Sequence, residues 1–403
     1  KLLLRPPEKE LPGVAELVRE LFDRGLVEFD RLPPALKTIV ALERDTDRFL
    51  AERTAVLKRL EQTTADDAYR VQAEAILRLV PELLRRNLLE ELLVPVTMFC
   101  GHAALGGPRA AAAEEALGQL AQGDVAATLK EKFLTGGKEE RRALAPIYQA
   151  LGERVRPQLL EILREAPDGW VRKNASEVLL RMGPEATEAA LAELSSGKLP
   201  TGAVAELLMV FGELRSDHPG VLHALRSFAR NREPRVREEA AWALCRIRGA
   251  AEEGLFVQLL DDPDLGVRRR ALRCLRAARC GGALGTVVDL LSRVEDEPGL
   301  EPLEPQLYAA LPDLAAAAGA GSEEVEEVLV GRLQETFPRG LLGALRRPTR
   351  PLSQEAVLAV CDALGAIGTE IARDALDELS RRVKEPFRQQ AVRAIQRIDS
   401  RRR

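Results

Sequence analysis

Residues 236–247 read VREEAAWALCRI. Val236, Ala240, Ala241, Ala243, Leu244 and Ile247 stand at offsets 0, 4, 5, 7, 8 and 11, with Arg237 at offset 1. That spacing lays small and apolar side chains along one face of an α-helix. The offsets return from Val267 (Arg268, Ala271, Leu272, Cys274, Leu275, Ala278) and from Phe387 (Arg388, Ala391, Val392, Ala394, Ile395, Ile398). They return again from Val171 (Arg172, Ala175, Val178, Leu179, Met182), and in weaker form from Arg109, Ala143, Ala203 and Ala356. The offset-8 residues are Leu117, Leu151, Leu179, Phe211, Leu244, Leu275, Leu364 and Ile395, spaced by 34, 28, 32, 33, 31, 89 and 31 residues. The long gap holds one degenerate copy around Leu311 and Leu314 plus two insertions, and a still weaker copy lies at 68–79.

Between these motif helices lie further amphipathic segments, at 153–164, 184–194, 219–229, 251–260, 283–294, 322–334 and 370–382. Gly183-Pro184, His218-Pro219 and Gly321-Ser322 punctuate their starts, as residues that stop one helix and begin the next. The unit is therefore helix, turn, helix, and no stretch alternates long enough to read as a strand. A pair of short amphipathic helices cannot bury its apolar face alone. Stacked pairs can, and their stability becomes a sum over neighbours. The expected fold class is all-α, an α-solenoid of helical hairpins.

The motif VREEAAWALCRI, preceded by Glu233-Pro234 and followed by LLDDPDLGVRRRAL at 259–272, resembles the HEAT-repeat family in its short, phycobilisome-lyase-like form. The resemblance covers roughly residues 105–399. It implies a right-handed solenoid of about eight to ten repeats. It says little about function, because such repeats serve scaffolds, lyases and nucleic-acid enzymes alike. Residues 1–104 depart from the pattern. Helices are expected there at 14–23, 34–42, 47–62 and 66–87, as an irregular cap or a small module ahead of a solenoid at 105–403.

Composition narrows the function classes. Among 403 residues, 46% are hydrophobic, 30% charged and 4% aromatic, with net charge -4. A globally basic nucleic-acid binder is excluded, and no apolar run reaches the roughly 18 residues of a membrane span. Five scattered cysteines without a Cys-x-x-Cys pair read as reduced thiols of a cytoplasmic protein. The chain opens on Lys1 without signal-peptide zoning, so a processed or truncated N-terminus is expected, which leaves room for a further upstream domain.

Chemistry is sparse. His218 and His223 lack partners at metal-ligand spacing, and Cys100-Gly-His102 reads as a helix end before Gly106-Gly107. No nucleophile elbow, dinucleotide loop or P-loop is present, so no catalytic, cofactor or metal residue is assigned. Asp261, Asp262 and Asp264 are read as capping the Val267 helix. By the same resemblance, the offset-1 arginines 172, 237, 268 and 388 are expected to bond an acidic or carbonyl group in the neighbouring layer rather than to form a phosphate ladder.

Offset 6 points away from the buried face. Down the motifs it reads Glu115, Gln149, Glu177, Met209, Trp242, Arg273, Asp362 and Arg393. The resemblance places this column on the inner, concave surface. A solvated Trp beside Arg is a composition typical of binding hot spots. Segment 264–279 carries six Arg and one Asp, and 379–403 carries nine basic and two acidic residues. Insertions near 295–304 (acidic) and 336–351 (basic) each lie between an amphipathic segment and the next motif helix, and so on one edge. They are expected to be dispensable for folding, and either to bind or to pair with each other.

The expected function is a non-catalytic scaffold holding an acidic or mixed-charge protein through Met209, Trp242, Arg269, Arg270 and Arg273. Two alternatives are a nucleic-acid backbone binder using the Arg-rich helix and basic C-terminus, and, by resemblance only, a chromophore lyase-like subunit.

Overall fold

The structure, a computed structural model, describes residues 20–21, 24–25, 28, 30, 32, 34–294, 296–319, 322–338 and 350–402. Among them the regular structure is helical throughout, and no helix is long and apolar enough to cross a membrane. The chain divides into two compact units, Lys1–Leu199 and Pro200–Arg403.

Unit 1 carries α1 (Pro34–Gln62), α2 (Asp66–Leu77), α3 (Val80–Arg85), α4 (Leu89–Leu105), α5 (Ala110–Leu120), α6 (Gly123–Thr135), α7 (Lys138–Leu151), α8 (Arg156–Glu165), α9 (Gly169–Leu180) and α10 (Pro184–Ser196). Its start differs from the sequence expectation in three places. Residues 34–62 form one helix of 29 residues rather than two. The polar residues that interrupt its apolar pattern are paired: Arg85 donates to buried Glu43 at 2.9 Å, and the Thr46 hydroxyl to the Leu42 carbonyl at 2.8 Å. The expected helix at 66–87 instead breaks after Leu77 and restarts as α3, with Pro81 in its first turn, where a missing N–H costs nothing. Two helices lie outside the segments expected from the sequence, Leu89–Leu105 and Gly123–Thr135. Packing runs across the boundary drawn at residue 104, since α4 lies against α5 and α7, and α2 against α5. The expected segment at 14–23 falls mostly outside the described residues.

Unit 2 is more regular. Its motif helices are α11 (Thr201–Glu213), α13 (Pro234–Arg248), α15 (Leu265–Ala277), α17 (Glu304–Ala318), α19 (Gln354–Ile367) and α21 (Phe387–Arg402). Each packs on the next in that order. The intervening helices α12 (Pro219–Phe228), α14 (Glu253–Leu259), α16 (Leu284–Arg293), α18 (Ser322–Thr336) and α20 (Glu370–Arg382) each lie against the motif helix that follows. Offset 8 is buried in α11, α13, α15 and α19 (Phe211, Leu244, Leu275, Leu364), and the degenerate copy buries Leu311 and Leu314. The terminal α21 departs from the pattern, for Val392 is 40% exposed and Ile395 only half-buried.

Neighbouring motif helices meet through a second column, at offset 9. A Cβ on Gly212 would lie 2.7 Å from Ala243 Cα, and one on Gly365 would lie 2.9 Å from Ala394 Cα. At the same step between α13 and α15 the pair is Cys245 and Cys274. Cys245 Sγ lies 3.6 Å from the Cys274 carbonyl, and Cys274 Sγ 3.6 Å from that of Ala241. In each pair an offset-9 residue faces offset 7 of the following motif helix.

The offset-1 arginines tie down turns. Arg237 is buried and donates twice to Asp262, at 2.6 and 2.7 Å, and to the carbonyls of Asn231 and Arg232. Arg172 donates to the Ala166 and Pro167 carbonyls at 2.7 and 2.8 Å, and Arg268 to that of Asp262. Arg388 is the exception, exposed on α21. Asp264 caps α15 by accepting from the Val267 N–H at 3.1 Å, while Asp262 is spent on Arg237.

Two substitutions test this frame. Leu244→Ala should cost about 2–5 kcal/mol, since it empties a fully buried site. Gly212→Ala should cost about 1–3 kcal/mol by forcing two backbones apart. Denaturant melts read both, and a Leu244→Ala loss below about 0.5 kcal/mol would show the register to be wrong.

Candidate functional site

On unit 2 an open recess of about 560 Å³ is lined by Trp242, Arg273, Arg276, Ala277, Arg279, Asp313, Ala316 and Ala317. Three consecutive motif helices build it. Trp242 comes from α13, Arg273 to Ala277 from α15, and Asp313 to Ala317 from α17.

The recess opens where the offset-9 rule fails. Gly212, Cys245 and Gly365 occupy that column in α11, α13 and α19, but α15 carries Arg276 there. A guanidinium cannot tuck beneath the next helix. Arg276 instead reaches across to Asp313 of α17 at 2.9 Å. Below it the 3-10 turn after α15, at Gly281–Ala283, closes on the end of α17, for a Cβ on Gly281 would lie 2.5 Å from the Ala318 nitrogen. The result is a floor of alanine methyls beside the Trp242 ring.

Arg273, Arg276 and Arg279 recur every third residue along one stripe. Arg273 and Arg279 are exposed and make no ion pair or side-chain hydrogen bond among the described residues. Arg279 follows α15 with φ 53°, left-handed backbone. Its N–H bonds the Arg276 carbonyl at 3.1 Å and the Cys280 N–H that of Leu275 at 2.9 Å. Glycine normally occupies this position in such a helix ending, and a side chain there costs about 1 kcal/mol.

The residues picked out from the sequence are partly brought together. Trp242 and Arg273 line the recess. Trp242 is half-buried, and Arg270 lies 5.3 Å from its ring centroid. The ring is thus covered by the neighbouring helix, not by its own. Arg270 is held close to Glu238 and Glu239, at 3.7 and 3.8 Å. Arg269 turns toward the 295–304 insertion, donating to the Pro302 carbonyl at 3.2 Å. It lines a smaller recess of about 240 Å³ with Leu272, Arg273, Arg276 and Gln306. Met209 is half-buried on α11 and lines neither recess. Asp313, Ala316 and Ala317 are not among the residues expected from the sequence, and they lie in the degenerate repeat around Leu311 and Leu314. Arg276 breaking the small-residue column was the available signal.

The edge insertions are linked to each other. Arg350 donates to the Val294 carbonyl and pairs with Glu301 and Glu304 at 3.0 and 3.2 Å. Glu304 is buried, with Arg332 a further 3.7 Å partner. Removing all of 295–304 would therefore strip a buried carboxylate from two arginines, contrary to the expected dispensability. Arg339, Arg346 and Arg347 lie outside the described residues.

The remaining motifs are structural in their surroundings. His102 and Cys100 both lie on α4. His102 is buried with Nδ1 2.9 Å from the Tyr69 hydroxyl, and the Cys100 thiol donates to the Ala150 carbonyl at 3.0 Å. Burial pushes the Tyr69 phenol up to about 12. It likewise raises the thiols of Cys280 to about 11 and Cys361 to about 12, far from the thiolate range a nucleophile needs. All five cysteines are free, and among the described residues no three His, Cys, Asp or Glu converge as a metal site.

Two outcomes follow from these environments. Burial, helped by Arg109, holds the His102 imidazole below its ordinary 6.5. The unfolded chain then binds the extra proton first, so stability present above about pH 6.5 is lost as pH falls. Thermal melts should show a steeper acid-side decline for the native chain than for His102→Gln, and equal slopes would refute it. Arg279→Gly relieves left-handed backbone at an exposed position, and should raise stability by about 0.5–1 kcal/mol in denaturant melts. A loss of stability would mean that the side chain supports the fold.

No protein-family model matches this chain and no curated protein does, and the functional reading therefore rests on the surface chemistry of unit 2.

Proposed function

We propose that the chain is a HEAT-type, right-handed α-solenoid that works as a non-catalytic protein-interaction scaffold in the cytoplasm, with the motif helices of unit 2 presenting its binding face. One observation carries this reading. The recess at Trp242 combines an apolar floor with arginines that the fold does not consume. Aromatic and Arg side chains together are the composition in which interface energy concentrates. The scaffold has no chemistry of its own; its mechanism is multi-point contact that positions a partner.

A nucleic-acid backbone reading has less support. The basic C-terminus spends much of its charge internally, since Arg381 pairs with Asp377, Arg382 with Glu378 and Arg397 with Asp362, and Arg401 donates to the Gly368 carbonyl. Trp242 already has a guanidinium on one face, which removes a stacking surface for a base. The lyase alternative rests on resemblance alone.

The test is affinity capture from the native host with quantitative mass spectrometry, comparing the native chain with Trp242→Ala and with Arg273→Glu. Helicity and melting temperature should stay near native in both. At least one specific partner should weaken by about 2 kcal/mol, roughly thirtyfold. A set of captured proteins unchanged by either substitution would remove the recess from the binding surface.

A further inference from the structure

The reading of unit 2 as a binding face leaves open what kind of partner it holds, and the recess itself is specific on this point. We propose that it takes an acidic peptide segment. In that complex, carboxylates bind Arg273 and Arg279, and an apolar side chain seats against Trp242, Ala277 and Ala317. The inference rests on the proposed function and deepens it.

Charge is the first ground. Three arginines and one aspartate line the recess, and that aspartate is already paired with Arg276. Two guanidiniums are left facing solvent on a chain whose net charge is -4. Each offers the planar fork that matches a carboxylate in two parallel hydrogen bonds. They stand six residues apart in sequence, one on α15 and one in the turn that ends it, with Arg276 held between them and all three lining the recess, which spaces two separate anionic groups rather than one.

Shape is the second ground. Ala277, Ala316 and Ala317 are exposed and contribute only methyl groups, so the floor is open to an aliphatic side chain. An apolar anchor ringed by charge suits a peptide carrying both leucine-like and glutamate-like residues. A nucleic-acid strand offers no such anchor. It would also meet only two uncommitted cations here, too few for the counterion release on which its affinity depends.

The third ground is the backbone at Arg279. Left-handed geometry there favours glycine, and the side chain projects from the rim of the recess without an internal partner. The same geometry supplies a clean test, because Arg279→Gly deletes the guanidinium while suiting the fold.

The chain has two tryptophans. In a Trp170→Phe background, Trp242 alone reports. The probe is a fluorescein-labelled decapeptide of alternating glutamate and leucine. Its glutamine-leucine counterpart and a labelled oligothymidylate of equal charge serve as controls. Binding of the acidic peptide should change Trp242 emission and weaken with salt. Arg273→Ala and Arg279→Gly should each weaken it by roughly tenfold, the loss of one charge-assisted contact. Arg273→Lys keeps the charge without the fork and should fall between.

Equal affinity for the glutamine peptide overturns the proposal, as does tighter binding of the oligothymidylate, or acidic-peptide binding that neither arginine variant changes. Absence of acidic-peptide binding overturns it too. If captured native partners still depend on Trp242 and Arg273 in that case, the binding face stands and only the occupant falls. If peptide binding follows Arg279 while native partners ignore the recess, the scaffold reading fails instead.

Discussion

Gly212 against Ala243, Cys245 against Cys274 and Gly365 against Ala394 are one contact repeated along unit 2. At the two glycines, consecutive motif helices approach until a single added methyl group would strike backbone or its nearest substituent, and at the cysteines each thiol lies 3.6 Å from a carbonyl of the facing helix. Close approach of this kind makes the row of motif helices stiff, because close-packed interiors give little when a volume changes. It also decides which side chains can point into the row and which must leave it. Offsets 0, 4 and 8 are committed to the core, offsets 7 and 9 to the contact, and offset 6 is turned out. The surface of unit 2 is thus what remains after the small-residue contact has been made.

One exception to that contact produces the recess. Arg276 stands where a small residue belongs, and α15 and α17 are joined there by an ion pair instead of by backbone proximity. An exposed pair of this sort contributes little stability. Local packing has therefore been exchanged for a concave, positively charged surface. Sites that break a rule obeyed elsewhere in the same fold are the ones most often set aside for function.

Much of the fold could be read from the residues. The offsets of VREEAAWALCRI predict α13, α15, α9 and α21, and glycine and proline mark most of the intervening helices. What escaped did so for physical reasons. Glu43 and Thr46 look like a break in α1 until Arg85 and the Leu42 carbonyl satisfy them. Pro95 lies inside α4 and hides a helix whose apolar residues run almost without interruption. The candidate site was legible in part. Trp242 and Arg273 stand out at offset 6, whereas Asp313, Ala316 and Ala317 belong to a repeat too degenerate to align by eye. Met209 occupies the same column yet lines neither recess, and there α11 meets α13 closely through Gly212.

Arginine plays two opposed roles on this chain, and position along the motif separates them. At offset 1 the side chain starts beside the turn that leads into its own helix. Arg172, Arg237 and Arg268 all reach backbone carbonyls within six residues, and Arg237 also holds Asp262. Those carbonyls are left without partners by the turn, so the guanidinium satisfies groups that would otherwise be stranded. Arg273 at offset 6 and Arg279 at offset 12, in the turn that ends α15, bond no such carbonyl with their side chains. Arg273 and Arg279 face solvent, and the nearest acid is already engaged by Arg276. An arginine content that looks uniform in the composition is therefore divided by geometry. Part of it is consumed in joining repeats, and part is left over where the joint between α15 and α17 stands open. The leftover charge and the apolar floor lie in the same place because a single substitution in the small-residue column, arginine at position 276, created both.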